Sequence, residues 1–222
     1  MLEIQGINKS FGTKDNKTNV LSNVNFTVDK GEFVVIHGES GSGKSTLLNI
    51  MAGFEKPDKG EVLINGTDIT KLNESKKAVF RRKHVGFVFQ QYHLIPELSA
   101  LENVMFPLIL DKVSAREAKK KAAEILSYVG IDKNINNLPS QFSGGQNQRI
   151  AIARAMIAKP EILFADEPTG NLDSVNSEKI LSLLKKVNRE LGTVILMVTH
   201  SVREREVADR LIEIRDGVVQ QN

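Results

Sequence analysis

Hydrophobic and polar positions alternate at the start of the chain and then give way to short apolar runs. Residues 2–7 and 20–28 alternate in this way and predict two β-strands, with a polar turn between them at residues 14–17. Residues 33–37 and 161–165 are nearly continuous apolar runs, which are typical of parallel strands covered on both faces of a sheet. The pattern therefore predicts an α/β core preceded by an antiparallel β region.

Further strands and helices follow from the same patterns. A helix is predicted from Leu47 to near Gly53, and an amphipathic helix is predicted over residues 177–191. Asp216 and Gly217 predict a hairpin turn near the end of the chain. The remaining predicted strands cover residues 61–64, 85–90, 193–199, 211–214 and 218–220.

The middle of the chain has a different pattern, because residues 92–160 contain no convincing strand and at least three helical patterns. Ser114 and Glu117 predict a capping box for a helix that runs through Tyr128 and is closed by Gly130. We therefore expect a single domain with an inserted α-helical subdomain. It would span residues 1–222, with the core and the β subdomain in residues 1–91 and 161–222, and the helical subdomain in residues 92–160.

The composition is that of an ordinary soluble globular chain. Its 222 residues can form one sizeable core, 26% of them are charged, and the net charge of +3 is weak evidence for a nucleic-acid partner. The absence of cysteine excludes disulfides and thiolate–metal sites and fits a reducing compartment. No run approaches the roughly 18 apolar residues that span a bilayer, and the N-terminus does not resemble a signal peptide. We expect a cytosolic protein whose membrane role, if any, comes through a partner.

A glycine-rich loop follows the apolar run at residues 33–37. Residues 38–45 fit the pattern G-x-x-x-x-G-K-[ST] in full, between a predicted strand and a predicted helix. Glycines let the backbone wrap the β- and γ-phosphates of a nucleotide, Lys44 supplies a positive charge, and the Ser45 hydroxyl is suited to Mg²⁺. This context favours a phosphate loop over a glycine turn that merely contains a lysine.

A second candidate for phosphate binding lies far along the chain. Ser143, Gly144, Gly145 and Gln146 come at the start of a predicted helix, where bare backbone N–H groups bind anions. One nucleotide cannot account for both loops. We expect the chain to close its ATP sites by pairing with a second copy of itself or with a close relative.

Two carboxylates end the predicted strand at residues 161–165. Ligands of open parallel sheets bind beyond the carboxyl ends of the strands. Asp166 at that position is suited to hold Mg²⁺ through water, and Glu167 to polarise an attacking water. A strand that ends in Asp-Glu is common, but the complete glycine-lysine loop upstream favours the catalytic interpretation.

Three other residues have both a functional and a structural interpretation. His200 follows the strand at residues 193–199, where it could bind a γ-phosphate or the attacking water, or serve as a structural histidine. Gln90 ends the predicted strand at residues 85–90, where it could reach Mg²⁺ or remain a surface glutamine. Phe11 could stack on adenine or pack in the β core.

Together these motifs resemble an ATP-binding cassette (ABC) ATPase, over the chain from Phe11 to Gly217. The most specific element is residues 142–149, which match the family's signature motif and are absent from other glycine-loop ATPases. The resemblance implies an α/β fold, a P-loop NTPase (RecA-like) core with an N-terminal antiparallel β subdomain and an inserted α-helical subdomain. It also identifies residues 38–46 as the Walker A loop, residues 162–167 as the Walker B strand and residues 171–173 as part of the D-loop.

The resemblance implies a role for each site residue, with ATP and Mg²⁺ as cofactors. The implied catalytic residues are Glu167, the switch histidine His200, Lys44 and the Q-loop glutamine Gln90. The implied ligands of Mg²⁺ are Ser45, Gln90 and Asp166. The implied ATP-binding residues are Phe11, Gly38, Ser40, Gly41, Ser42, Gly43, Lys44, Ser45, Thr46, Ser143, Gly144, Gly145 and Gln146.

Within the family, the chain is most similar to the LolD/MacB type, through residues 85–91, 94–96, 101–104 and 166–173. ATPases of that type drive lipoprotein release, macrolide or peptide export and antimicrobial-peptide resistance. The resemblance implies an integral-membrane permease of the MacB/FtsX type as partner, a homodimer in the ATP-bound state, and a peripheral place on the cytoplasmic side of the plasma membrane. The short C-terminus leaves no room for a regulatory domain, which favours export or extraction.

Other functions fit less well. A soluble ABC ATPase that acts on nucleic acid or the ribosome usually has a long coiled coil or two cassettes in one chain, and this sequence has neither. A glycine-loop kinase or GTPase would leave residues 143–146 without a role, and no guanine-reading Asn-Lys-x-Asp is present.

The sequence departs from the family pattern at four positions. Phe142 stands where leucine is usual, Asn147 where glutamine is common, and Phe11 where tyrosine is commoner. Glu39 replaces a frequent proline and would weaken nucleotide binding unless its charge points outward. None of these departures removes a catalytic group.

Overall fold

Two β-sheets and six α-helices make up the residues that the computed structural model describes, 1–13 and 16–220. The α-helices are α1 (Lys44–Met51), α2 (Glu74–His84), α3 (Ala100–Leu110), α4 (Ala115–Tyr128), α5 (Gly144–Met156) and α6 (Ser174–Leu191). The strands are β1 (Leu2–Thr13), β2 (Asn16–Val28), β3 (Phe33–His37), β4 (Lys59–Ile64), β5 (Thr67–Asp68), β6 (Val85–Val88), β7 (Ile162–Asp166), β8 (Val194–Thr199), β9 (Arg210–Arg215) and β10 (Val218–Gln220). Short 3₁₀ turns cover Ile69–Lys71, Pro139–Gln141 and Arg203–Val207.

The strands form one antiparallel sheet and one mainly parallel sheet. The first has the order β2-β1-β4-β5, and the second has the order β10-β9-β3-β8-β7-β6, in which β10 alone is antiparallel to its neighbour. In the second sheet His37 pairs with Thr199, and Asp166 pairs with Val198. The carboxyl ends of β3, β8 and β7 therefore lie level with one another at one edge, where parallel sheets bind ligands.

Both faces of the parallel sheet are covered, which explains its continuous apolar strands. Phe33 and Val35 of β3 face a hydrophobic cluster that includes α5 and α6, whereas Val34 and Ile36 face a cluster that includes α1 and the antiparallel sheet. All five residues of β3 are buried. The predicted α/β fold class is confirmed, with the antiparallel β subdomain on one side and an α-helical subdomain inserted between β6 and β7.

The helical subdomain contacts the parallel sheet closely where α5 crosses β6. Gly86 has no room for a side chain, since a Cβ there would lie 2.7 Å from Leu163 Cδ1 and 2.8 Å from the Ala155 carbonyl oxygen. Only a glycine lets the backbones of α5 and β6 approach this far. Residues 92–160 contain α3, α4 and α5 and no strand among the described residues, in line with the sequence pattern.

Several element predictions need correction. The strand predicted at residues 85–90 ends at Val88, so Gln90 lies in the turn that follows it. Asn16 and Lys17 belong to β2 rather than to a turn, and the rest of that predicted turn, Lys14 and Asp15, lies outside the described residues. The helix α2 was not predicted at all.

The capping predictions are confirmed in part. The Ser114 hydroxyl accepts a hydrogen bond from the Glu117 N–H, but Glu117 pairs with Lys121 at 2.7 Å, and the reciprocal bond of a capping box is not recorded. The hairpin turn between β9 and β10 is confirmed, because Asp216 and Gly217 both have positive φ, at 49° and 75°.

Candidate functional site

The glycine-rich loop joins β3 to α1 at the edge where the parallel strands end. A Cβ on Gly38 would lie 2.0 Å from the Ile214 carbonyl oxygen, and one on Gly43 would lie 2.7 Å from the Val20 carbonyl oxygen. The loop can follow this path only with glycine at these positions. Gly43 is the N-cap of α1 and supplies no side-chain hydrogen bond, so the first N–H groups of the helix remain available for an anion.

Lys44 places a buried positive charge beside these N–H groups. Its Nζ donates hydrogen bonds to the carbonyl oxygens of Gly38 at 3.0 Å and Glu39 at 2.6 Å. Burial lowers the pKa of Lys44, and the charges of Glu167 and Asp166 partly offset this effect. Within residues 1–13 and 16–220 no carboxylate oxygen lies within 4.0 Å of the Lys44 Nζ, so its charge is not neutralised by an ion pair and suits a phosphate.

A hydroxyl and a carboxylate meet next to Lys44. The Ser45 Oγ donates a hydrogen bond of 2.9 Å to Asp166 Oδ1 at the end of β7. Burial raises the pKa of Asp166, the bond from Ser45 opposes that rise, and the charge of Glu167 adds to it. Both oxygens are ligands of the kind that Mg²⁺ prefers.

These oxygens fit a magnesium ion that is shared with a phosphate. The described part of the chain has no group of three or more His, Cys, Asp or Glu side chains arranged to hold a metal. Mg²⁺ sites with nucleotides usually take one or two protein ligands and complete their shell with phosphate oxygens and water. The Ser45–Asp166 pair meets that description.

Glu167 and His200 form a second polar pair at the same edge. His200 Nδ1 lies 2.9 Å from Glu167 Oε1, and the histidine side chain is 64% exposed. Glu167 has a positive φ of 43°, an uncommon conformation for a non-glycine residue that often marks a functional site. Exposure places the imidazole at the mouth of the site and not in a core, which argues against a purely structural histidine.

A cavity of about 220 Å³ brings the glycine loop and this pair together. Its lining residues are Val20, Ser40, Gly41, Gly43, Lys44, Ser45, Thr46, Glu167 and His200. All but Val20 were predicted as site residues from the sequence, and they come from the ends of three parallel strands. A cavity with phosphate-binding N–H groups, a cation and a carboxylate beside a histidine can bind a nucleotide phosphate and activate water.

Several predicted residues do not line this cavity, among them Gln90 and Phe11, which lie away from it. The Gln90 side chain lies against Gly170, where a Cβ would come within 2.6 Å of its Nε2, and the Gln90 carbonyl accepts a bond of 3.1 Å from Asn171 Nδ2. Phe11 is 44% exposed near the end of β1 and lies 4.8 Å, ring centroid to Nζ, from Lys9. The ring is therefore not part of the buried β core, and its stacking on adenine stays a prediction, as does the metal contact of Gln90.

The second candidate for phosphate binding, residues 143–146, lies at the start of α5, so the predicted helix start is confirmed. Ser143 is its N-cap and forms a capping box with Gln146, in which the Ser143 N–H donates to Gln146 Oε1 at 2.8 Å. A Cβ on Gly144 would lie 2.8 Å from the Tyr92 hydroxyl, and one on Gly145 would lie 2.8 Å from Asn176 Oδ1. This turn thus packs against other elements and contributes no residue to the cavity beside Lys44. Within one chain the two loops are separate.

Gln148, Thr169 and Glu204 make two hydrogen bonds close to Glu167. Gln148, fully buried on α5, donates a hydrogen bond of 2.6 Å to the Pro168 carbonyl oxygen. The Thr169 hydroxyl donates a hydrogen bond to Glu204 Oε1. Sequence reasoning did not find these contacts, because they join residues that are 20 and 35 positions apart and no local pattern marks them.

Comparison with known proteins agrees with this geometry. The sequence profile of the ABC transporter family matches residues 21–170. The chain is 47% identical over 219 residues to an uncharacterised ABC transporter ATP-binding protein, MJ1508 of Methanocaldococcus jannaschii, covering 99% of this chain and 97% of that protein. It is 44% identical to the ABC transporter ATP-binding protein YtrE of Bacillus subtilis, covering 99% and 96%.

One longer relative and one solved structure extend the comparison. The macrolide export ATP-binding/permease protein MacB of Syntrophobacter fumaroxidans is 42% identical, and the match covers 99% of this chain but 31% of MacB. The dimeric post-hydrolysis structure of the ATP-binding cassette MJ0796, bound to ADP and Pi, matches with a TM-score of 0.92 at 43% identity, over 100% of this chain and 97% of that one.

Replacing Lys44 tests the phosphate site. We expect Lys44→Ala to weaken ATP binding by roughly 10- to 100-fold, because hydrogen bonds to charged groups contribute about 1.5–3 kcal/mol. A titration with a fluorescent ATP analogue measures the change, and Lys30→Ala, which removes an exposed lysine before β3, is the control. Equal affinity in the Lys44 variant and the unaltered protein would contradict the site.

Proposed function

Because the chain belongs to the ABC transporter family of ATP-binding proteins, we propose that two copies of it close around two ATP molecules and drive a separate membrane permease. Family membership makes the chain the ATP-binding subunit of an ABC transporter and an ATPase. The proposal adds the direction of transport, export or extraction of a lipoprotein, macrolide or peptide. It also adds a permease of the MacB/FtsX type and a place on the cytoplasmic face of the plasma membrane.

The separation of the two phosphate-binding loops carries the proposal. Ser143 is not among the residues that line the cavity beside Lys44. A second copy that presents its Ser143–Gly145 turn to this cavity would supply the missing N–H groups. Two solved structures of one relative, MJ0796, are described as dimeric and support such an arrangement.

ATP would act as the bridge in this dimer. Each triphosphate would lie between Lys44 of one copy and Ser143 of the other, so the second loop gains its anion only when ATP is present. Closure would then follow ATP binding, and hydrolysis would reopen the dimer because the phosphate charges separate. The ligand shifts the population toward the closed form because it makes contacts there that the open form lacks.

Each group in the cavity has a role in hydrolysis. Lys44 and the N–H groups of α1 bind the β- and γ-phosphates, and Ser45 and Asp166 hold Mg²⁺, which when bound neutralises phosphate charge. Glu167 accepts the proton of the attacking water, and His200 binds the γ-phosphate and helps to orient that water. Gln90 lies against Gly170 here, so we expect it to join this site only when its turn shifts on ATP binding.

A groove beside Gln90 fits a helix of the permease. Its volume is about 450 Å³, and the rings of Phe54, Phe87, Phe89 and Phe106 line it together with three arginines. Phe54 is 49% exposed there and packs edge-on against Phe87, with the ring centroids 5.2 Å apart. Exposed aromatic side chains in a concave surface are typical of a site where a partner docks.

Hydrogen bonds from α3 hold the backbone that follows Gln90 at residues 95–98. Asn103, fully buried on α3, donates from its Nδ2 to the carbonyl oxygens of Ile95 at 3.0 Å and Leu98 at 2.8 Å, and accepts from the Ile95 N–H at 2.7 Å. Movement of Gln90 would therefore be passed to the helix in the groove. That coupling would convert dimer closure into transport.

One relative supports a permease of the MacB type. MacB is named an ATP-binding/permease protein, and the chain matches 31% of it, whereas it matches 97% of MJ1508. In the described residues no helix has the length and apolarity needed to cross a bilayer.

Glu167→Gln tests the proposed base. We expect the variant to bind ATP normally and to lose turnover by roughly 100-fold or more, which is the usual contribution of a general base. It should accumulate as an ATP-bound dimer in size-exclusion chromatography, because closure is kept and reopening is slow. Glu124→Gln, an exposed glutamate on α4, is the control. A variant that stays monomeric with ATP would argue against the mechanism.

Ser143→Arg tests whether the site is shared between copies. We expect hydrolysis to fall at least tenfold, because the arginine blocks the turn, while ATP binding to the isolated monomer stays within about twofold. Ser75→Arg introduces the same side chain in the first turn of another helix, α2, and should change neither property. If Ser143→Arg weakened monomer binding and hydrolysis together, the two-chain site would be wrong.

Co-purification tests the membrane partner. Affinity capture from detergent-solubilised membranes should recover an integral-membrane protein, and Phe54→Asp should abolish that recovery because it puts a charge into the groove. Leu191→Asp, at a side chain of similar exposure (51% against 49%) at the end of α6, should not. Recovery of ribosomes or nucleic acid in place of a membrane protein would favour a soluble role.

A further inference from the structure

The segment that carries Glu167 is joined twice to the segment that carries His200. The first segment, residues 167–170, is called the catalytic turn, and the second, residues 200–204, is called the switch segment. At the exposed end of the two segments, His200 Nδ1 lies 2.9 Å from Glu167 Oε1. Beneath them, the Thr169 hydroxyl donates a hydrogen bond to the carboxylate of Glu204.

The exposed pair of Glu167 and His200 cannot hold the two segments in a fixed relative position during hydrolysis. Under the proposed function, Glu167 must accept a proton from water and His200 must turn to the γ-phosphate. Each group then exchanges its present partner for a ligand, and the contact between them is lost. Another contact must therefore keep Glu167 and His200 close to each other during hydrolysis.

The pair of Thr169 and Glu204 is placed to do so. Thr169 is buried, at 4% exposure, and lies two residues from Glu167, whereas Glu204 is partly buried. Glu204 is four residues from His200, in a short 3₁₀ turn whose N-cap makes no side-chain hydrogen bond. The 3₁₀ turn also contacts β3 and α6, and the Thr169 hydroxyl joins it directly to the catalytic turn.

The rest of the catalytic turn is already rigid. The Glu167 N–H donates to the Val198 carbonyl oxygen at 3.0 Å, the Gly170 N–H donates to the Glu167 carbonyl oxygen at 3.0 Å, and Gln148 donates to the Pro168 carbonyl oxygen at 2.6 Å. Backbone position is thus fixed on the side of Glu167. Apart from the exposed contact of His200 with Glu167, the Thr169–Glu204 bond is the side-chain hydrogen bond that joins this turn to the switch segment in the described residues.

The carboxylate of Glu204 destabilises the folded state, so its presence calls for a functional reason. Its second carboxylate oxygen, Oε2, is buried and has no hydrogen-bond partner in the described part of the chain. A buried acceptor without a partner opposes folding, and such groups in native proteins call for an explanation. A threonine hydroxyl could be satisfied by a neutral acceptor at lower cost.

We propose that Glu204 is a positioning residue that, through Thr169, holds the catalytic turn and the switch segment in register while Glu167 and His200 exchange their mutual contact for water and the γ-phosphate. Neither Glu204 nor Thr169 touches the substrate. The inference rests on the proposed roles of Glu167 and His200.

Paired substitutions test the hydrogen bond itself. Thr169→Val removes the hydroxyl and keeps the shape, and Glu204→Leu removes the acceptor. We expect each to lower kcat by roughly 10- to 100-fold, the loss typical of small misplacements of catalytic groups, with ATP affinity within about twofold of the unaltered protein. Trapping of ADP with vanadate, which mimics the transition state, should fall in parallel with kcat.

Conservative variants and a matched control separate positioning from loss of stability. Thr169→Ser and Glu204→Gln keep a hydroxyl and an acceptor oxygen and should recover most of the lost kcat. Thr193→Val removes a hydroxyl that is also 4% exposed and bonded to a backbone oxygen, at the other end of β8. It should lower the melting temperature about as much as Thr169→Val and leave kcat near normal.

A double variant completes the test. Thr169→Val with Glu204→Leu should be no slower than either single variant, because both remove one interaction. The inference is wrong if Thr169→Val leaves kcat unchanged, if Thr193→Val lowers kcat equally, or if the two losses multiply. Since Glu167→Gln tests the base separately, loss of turnover in that variant together with normal kcat in Thr169→Val would refute only the positioning role.

Discussion

The register of three neighbouring parallel strands is the constraint on which the site depends. With His37 opposite Thr199 and Asp166 opposite Val198, the loops after β3, β8 and β7 leave the sheet at one level. A slip of one residue in any of these strands would send its last side chain to the opposite face. Alternate residues of the strands are buried in two separate cores, so the hydrophobic effect that stabilises the fold also fixes the register.

Much of this arrangement could be predicted because it is encoded locally. The strand at residues 33–37 and the two helix starts at Lys44 and Ser143 follow from apolar runs and from glycines beside capping residues. The helix α2 was missed because its apolar residues are adjacent rather than periodic. It is held instead by the Asn73 cap and by the bond from Arg81 to the Gly53 carbonyl oxygen, and neither is visible as a pattern.

Side-chain positions that depend on distant residues were beyond sequence reasoning. Gln90 was expected beside the metal ligands, but it lies two positions after the end of β6, and its side chain meets Gly170, 80 positions later. The sequence motif identifies which residue type stands at position 90, but it does not determine the direction in which the turn places the side chain. The same holds for Glu204, because a carboxylate in a polar segment has no signature until the fold brings Thr169 to it.

The close approach at Gly86 has a mechanical consequence. Because α5 contacts β6 closely near Ala155, any tilt of the helix would pivot about that end. Ser143 lies at the other end of the helix. The helix length from Ala155 to Ser143 is about 18 Å, at 1.5 Å per residue over twelve residues. A tilt of roughly 10° about the pivot would therefore move Ser143 by about 3 Å. Gln148 lies on the same helix, so a displacement of that size at Ser143 would also pull on the hydrogen bond that joins α5 to the Pro168 carbonyl oxygen and would link the signature turn to the backbone beside Glu167.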